Sequence, residues 1–232
     1  MAELKTAVKS LFLIAFFLAA ACAKISDKEP YTGYKAAADA FFYGSREQRT
    51  EAAAEMKKYA EKDPAAAFYA LMHEKNIPHT FITDMMVGKV PDYGIGAEDI
   101  ENLRKLSDKS LAYAMVPYAL GLAAKDGKKS ARKVKKLIRK AAENGNVTAC
   151  DIAGDIYYFG SMYLDIDPDY AKAKKYYLLA EAEGSHHAVA MLGEMHRFGR
   201  GFIEDKKETK KLFEKAIRMG DERAKRETVY ID

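Results

Sequence analysis

Residues 188–199 read Ala188-Val189-Ala190-Met191-Leu192-Gly193-Glu194-Met195-His196-Arg197-Phe198-Gly199, with one glycine inside an apolar run and a second glycine six residues later. The same spacing occurs twice upstream, as Gly154 to Gly160 and as Gly121 to Gly127. Each such segment is followed by a second one carrying two lysines, two apolar residues, an alanine and a closing glycine. These are Lys135-Lys136-Leu137-Ile138 with Ala141 and Gly145, Lys174-Lys175-Tyr176-Tyr177 with Ala180 and Gly184, and Lys210-Lys211-Leu212-Phe213 with Ala216 and Gly220. Three units thus align position for position, and self-similarity of this kind marks a stack of repeats.

The spacings have a physical meaning. A glycine inside the first helix costs roughly 1 kcal/mol in propensity, and in return it lets the second helix approach closely. Gly127, Gly160 and Gly199 end the first helix, and Gly145, Gly184 and Gly220 end the second, where glycine takes a left-handed conformation without a Cβ clash. In the second helix the apolar pair and the alanine lie on one face, which buries against the first helix and the neighbouring unit. From each turn glycine to its closing glycine the distances are 18, 24 and 21 residues, and Pro168 marks the longest loop.

Outward from these units the pattern weakens. Gly44 follows Ala37-Ala38-Asp39-Ala40-Phe41-Phe42, and Gly88 stands within 86–93, so turn glycines fall at 44, 88, 127, 160 and 199. Alanine-rich segments alternate with charged amphipathic ones, and β-branched runs of period two are absent, so the body is expected to be all-α. The organisation expected is two degenerate helix pairs over 34–110 and three clear ones over 111–232, about five helix-turn-helix repeats in all.

The last unit, from Ala188 through Gly199-Arg200-Gly201-Phe202-Ile203-Glu204-Asp205-Lys206 to Ala216-Ile217-Arg218-Met219-Gly220, resembles the Sel-one-like repeat (SLR), a relative of the tetratricopeptide repeat. The middle unit matches except where Tyr163 to Pro168 lengthen its loop; the first has a shortened loop, and residues 34–110 match loosely. The resemblance implies a right-handed α/α superhelical solenoid, an adaptor or scaffold role, and a concave wall lined by the first helix of each pair. On that wall Tyr157 and Tyr158 are expected to meet a protein partner, with His196 and Arg197 at corresponding places in the next repeat.

The N-terminus follows a separate logic. Lys5 and Lys9 precede an apolar run from Leu11 to Ala21 that closes on small residues, the order of an export signal over 1–21. At about half the ~20 residues that a bilayer-spanning helix needs, the run is expected to be removed rather than kept as an anchor. Leu18-Ala19-Ala20-Ala21-Cys22 resembles a bacterial lipobox, in which the cysteine is acylated, although Ala19 stands where leucine is usual. Simple cleavage ending at Ala19, Ala21 or Ala23 is the rival reading. Several acyl chains on Cys22 would attach the protein stably to a membrane. By resemblance to enterobacterial lipoproteins, Ala23 in place of aspartate points to the outer membrane, facing the periplasm. Residues 22–33 are polar and rich in turn residues, and read as a tether.

Composition bounds the rest. Hydrophobic residues are 49% and charged residues 31% of 232, enough for one sizeable core. With 38 basic against 34 acidic residues, nothing calls for nucleic acid. Cys150 is the only cysteine besides Cys22, so no disulfide framework exists and Cys150 reads as a buried apolar residue. His73 and His79 lack the spacing that puts two imidazoles on one helical face, and adjacent His186 and His187 diverge; no metal and no cofactor is expected. No nucleophile elbow, P-loop or dinucleotide fingerprint is present, so no catalytic residue is assigned.

The sharpest charge feature is 125–140, where nine Lys or Arg face only Asp126. Lys128, Lys129, Arg132 and Lys136 in this stretch are candidates to meet an acidic partner or anionic headgroups, while Val134, Leu137, Ile138 and Ala141 face the core. The leading functional expectation is a lipid-tethered envelope adaptor that holds another protein. The alternatives are a periplasmic immunity protein neutralising a secreted antibacterial toxin, and an envelope hydrolase with its site in 64–110.

Overall fold

A computed structural model describes residues 34–74, 84, 86–88 and 95–228. The export segment, Cys22 and the tether lie outside the described residues. Among the described residues every named element is a helix: α1 Tyr34–Tyr43, α2 Arg46–Tyr59, α3 Pro64–Glu74, α4 Ala97–Asp108, α5 Ala112–Asp126, α6 Ala131–Glu143, α7 Val147–Phe159, α8 Tyr170–Ala182, α9 His186–Arg197, α10 Lys206–Arg218 and α11 Glu222–Glu227. A short 3-10 turn, Gly127–Ser130, joins α5 to α6. No helix among them is long and apolar enough to cross a membrane.

The three aligned units are the antiparallel pairs α5/α6, α7/α8 and α9/α10, and each second helix also packs on the first helix of the next unit. All six closing glycines take positive φ, from 54° at Gly127 to 100° at Gly220. After each second helix the chain supplies a side-chain cap. Asn146, Ser185 and Asp221 accept from the backbone N–H of Ala149, Ala188 and Ala224, which starts α7, α9 and α11 at the same register. α11 therefore takes the place of a first helix in the repeat register.

Inside the units the glycine notch works as its position demands. A Cβ on Gly154 would lie 2.4 Å from the Tyr177 ring, and one on Gly193 would lie 2.8 Å from Phe213, so each second helix rests on bare backbone. Gly121 departs from this pattern. Its nearest neighbours are Phe68 of α3 and Ile100 of α4, because α5 is enclosed by α3 and α4 as well as by α6. Every residue from Ala112 to Ala124 is consequently buried, and a helix covered all round can be apolar all round.

The long loop of the middle unit is a packed structure. Ser161 and Ile166 exchange two backbone hydrogen bonds, 2.7 and 3.0 Å, and this folds Tyr163 and Leu164 into the core. The Tyr163 hydroxyl lies 2.7 Å from Ser130 Oγ and donates to the Gly127 carbonyl, tying the loop to the preceding unit. Met162 is left projecting, its N–H donating to the Met86 carbonyl.

The N-terminal hairpin closes the arrangement. Ser45 caps α2 in a reciprocal box with Gln48, forming a tight corner after α1. Phe41 and Phe42 pack on Tyr69, and α1 lies against α7, more than a hundred residues away in sequence. The hairpin packs on α3 through α2, as each second helix packs on the next first helix, and its α1 also reaches the first-helix side of the stack at α7.

Candidate functional site: a groove between the hairpin and the repeats

Because α1 and α2 face the first helices, a groove of about 1180 Å³ remains between them. One wall is apolar, made by Met86, Val87, Phe159 and Met162. Val87 is 49%, Phe159 48% and Met162 69% exposed, so three large apolar side chains lie open to one space. The opposite rim is charged, with Arg46, Glu47 and Arg49 from the hairpin and Glu222, Arg223 and Arg226 from α11. Asp155, His187 and Tyr43 form part of the floor.

The floor is a buried, fully engaged polar cluster. Asp155 Oδ1 receives the Tyr177 hydroxyl at 2.7 Å and lies 2.8 Å from His187 Nε2, while Oδ2 accepts from the Tyr43 hydroxyl at 3.3 Å. The Tyr43 ring stacks on His187 with centroids 3.9 Å apart. Burial opposes the charged imidazolium of His187, but the Asp155 carboxylate, with Asp151 beyond it, outweighs that penalty and holds the ring's pKa above its ordinary value. Burial and the same carboxylate push the Tyr177 phenol far up, so it stays a neutral donor. Asp155 and His187 have the look of a catalytic dyad, yet the groups around them are phenols and an arginine rather than an activated nucleophile.

The cluster belongs to a periodic design. Asp155 follows notch glycine Gly154 and pairs with His187 at the second position of α9. Glu194 follows notch glycine Gly193 and receives Arg223, at the second position of α11, at 2.7 Å. Successive first helices are thus linked acid to base at one register. The link is missing between α5 and α7, where the corresponding residues are Leu122 and Thr148.

The residues expected on the concave wall sit elsewhere. Tyr158 is buried in the core, its hydroxyl donating to Glu194 at 3.4 Å and accepting from Arg200 at 3.0 Å; burial pushes its pKa up to about 12. Tyr157 faces the outer side, its ring parallel to Tyr176 at 5.7 Å. The helical positions that reach the groove are Asp155 and Phe159, four apart on a face that neither tyrosine occupies. His196 stacks on Phe202 of its own repeat loop at 4.0 Å, and Arg197 is held by Glu227 at 3.0 Å, so neither lines the groove. Lys128, Lys129, Arg132 and Lys136 are exposed on the outer side, with Val134, Ile138 and Ala141 turned into the core and Leu137 half-buried. Lys128 donates to the Met162 carbonyl. Cys150 is buried. His186 and His187 diverge, to Asp221 and Asp155 respectively. His79 lies outside the described residues, and among those described no three His, Cys, Asp or Glu converge as a metal site requires.

Comparison with known proteins agrees with this architecture. The Sel1 repeat model matches residues 148–185 and 186–221, the α7/α8 and α9/α10 units each with the start of the next. Two Arabidopsis thaliana proteins, the ERAD-associated E3 ubiquitin-protein ligase components HRD3B and HRD3A, are 31% and 30% identical over 78 residues. That stretch is 34% of this chain but only 12% and 11% of theirs, so the likeness concerns a small part of those proteins. The crystal structure of a Sel1 repeat protein from Oxalobacter formigenes superposes with a TM-score of 0.50 at 26% identity, covering 56% of this chain and 96% of that one. Sel1 repeats act in protein–protein interaction. With a notch glycine under the second helix, closing glycines and a side-chain cap on the first helix in both units, residues 148–221 of this chain form two Sel1 repeats.

Proposed function

We propose that the protein is a non-enzymatic adaptor of the bacterial envelope, anchored through acylated Cys22, that holds a segment of another protein in the groove between hairpin and repeats. The observation that carries the reading is the exposure of Val87, Phe159 and Met162 toward one space rimmed by Arg46, Arg49 and Arg226. Clustered apolar side chains that face solvent inside a polar rim are the usual make-up of a protein-binding surface. An immunity role would use the same groove with a toxin as occupant, and a secreted effector gene alongside would favour it. A hydrolase in 64–110 has less support: α3 and α4 pack on α5 through Phe68, Ile100 and Leu103 as ordinary helices.

Two measurements test the proposal. A photoreactive phenylalanine analogue at Phe159 is expected to give a discrete protein adduct in cells, whereas the same group at Glu214, exposed on outer helix α10, gives none. Identical adducts at both positions, or none at Phe159, would sink the groove reading. Fatty-acid labelling is expected on the wild type and absent from Cys22→Ala; an unlabelled wild type leaves a cleaved export signal in place of the anchor.

A further inference from the structure

The two layers of the stack differ sharply in charge. The second helices α6, α8 and α10 together carry fifteen Lys or Arg against four Asp or Glu. The first helices α5, α7 and α9 carry two against four. The whole chain has a formal charge of only +4, so its positive charge is gathered on the outer layer. The second helices lie side by side: Lys215 of α10 bonds Glu181 of α8 at 2.7 Å, and Ile138 of α6 shares a small cavity with Tyr176 of α8. The layer is most basic at α6 and the turn before it. Among the described residues, Lys129, Arg132, Lys135 and Lys136 are exposed there with no carboxylate partner.

We propose that this outer face docks on an anionic bilayer surface, with α6 as its centre. Three features select a bilayer over a folded acidic partner. The charge is spread over three neighbouring helices instead of being gathered in a pocket, which suits a surface of diffuse negative charge. Isolated apolar side chains project from the same layer or its loops, Leu178 from α8 and Ile203, 91% exposed, ahead of α10; single apolar groups among lysines enter a headgroup region readily. The choice also rests on the reading of Cys22 as an acyl anchor, since a twelve-residue tether spans up to about 40 Å and keeps the stack within reach of the membrane. Docked in this way, the protein would turn its first-helix groove away from the lipid.

The test uses the full chain carrying Cys22→Ser, so that binding does not depend on acylation. Co-sedimentation is measured with phosphatidylcholine vesicles alone and with phosphatidylglycerol added, at low and high salt. Binding is expected to require phosphatidylglycerol. It should vanish as the ionic strength rises from about 0.1 M to about 1 M, where the screening length shrinks from about 10 Å to about 3 Å. Lys129→Gln, Arg132→Gln and Lys136→Gln together are expected to weaken it by about a hundredfold, with helicity and melting unchanged. The control triple Lys57→Gln, Lys58→Gln and Lys62→Gln, on and just after α2, should leave it unchanged. Equal binding to vesicles without phosphatidylglycerol, or full binding by the α6 triple, would overturn the proposal. So would tighter binding to poly-glutamate or duplex DNA than to the anionic vesicles. Fatty-acid labelling of Cys22 is read separately, so failure of the anchor and failure of the face are distinguishable.

Discussion

His187 Nε2 lies 2.8 Å from Asp155 Oδ1, and the pair joins α9 to α7 at the point where Tyr43 of the N-terminal hairpin stacks on the imidazole. Three parts of the chain that are far apart in sequence meet on this one contact. Removing one member of a buried charged pair leaves the other desolvated and uncompensated, at a cost of about 3 to 5 kcal/mol. Asp155→Ala also deprives Tyr177 and Tyr43 of their acceptor, so it is expected to lie at the upper end of that range in urea unfolding. Arg223→Ala, at the corresponding link to Glu194, is expected to cost less, about 1 to 2 kcal/mol, because the guanidinium is 37% exposed and solvent partly screens the 14% exposed carboxylate it leaves behind.

The same contact predicts a pH dependence whose sign can be worked out. The folded-state pKa of His187 lies above its ordinary 6.5. Its stabilisation is therefore fully present below that unfolded value and is lost as pH rises through the folded one. The urea midpoint is expected to fall on moving from pH 6 toward alkaline conditions, and His187→Gln should flatten that limb. Asp221 acts in the opposite direction. Burial pushes its pKa up, but the bonds from His186 and the Ala224 N–H outweigh this and set it below 3.8. Its contribution is present above that value and lost as pH falls through the folded one, so Asp221→Asn should soften the acid limb alone.

Much of the fold was legible because its determinants are local. A glycine at a helix end or under a partner helix is a requirement on one residue, and it repeats with the unit. The polar ladder left a local trace too, since an acid follows notch glycines Gly154 and Gly193, and a base stands two positions after the caps Ser185 and Asp221. Both columns stand in register with the caps Asn146, Ser185 and Asp221. The groove left no such trace. It exists because α1 lies on α7, a contact set by tertiary packing, and its wall includes Met86 and Val87 from a stretch where the repeat pattern is weak. Tyr157 and Tyr158 differ from the groove-lining Asp155 and Phe159 only in helical phase. Residues one apart on a helix point about 100° from each other, so a shift of one or two positions moves a side chain from groove to core.

The notch glycines give a graded prediction. Gly154→Ala would set a Cβ 2.4 Å from the Tyr177 ring, whose hydroxyl is already held by Asp155, so the ring cannot swing aside. A loss of about 2 to 3 kcal/mol is expected, near the top of the range for overpacking. Gly193→Ala meets Phe213 at 2.8 Å, an unanchored ring, and should cost less. Gly121→Ala faces Phe68 at 3.3 Å and Ile100 at 3.5 Å, where the helix-propensity gain of about 1 kcal/mol can offset the crowding. Urea midpoints in the order Gly121→Ala, Gly193→Ala, Gly154→Ala from most to least stable would support this account, and any other order would contradict it.

Tyr158 and Phe159 are adjacent aromatic residues with opposite roles, and alanine at each separates fold from binding surface. Tyr158 is 1% exposed, packs against Tyr170 and Tyr177, and carries Arg200 over its face. Tyr158→Ala is expected to cost about 3 to 5 kcal/mol, as for other large buried aromatics, and to leave Glu194 and Arg200 without their shared phenol. Phe159 is half exposed at the groove, touching Tyr158 edge to face at 4.7 Å. Phe159→Ala should change stability by about 1 kcal/mol or less, the worth of such a ring pair, while abolishing the groove adduct described above when the photoreactive group is placed at neighbouring Met162 instead. If Phe159→Ala unfolds the protein as readily as Tyr158→Ala does, the exposed ring is part of the core and the apolar wall offers a partner nothing.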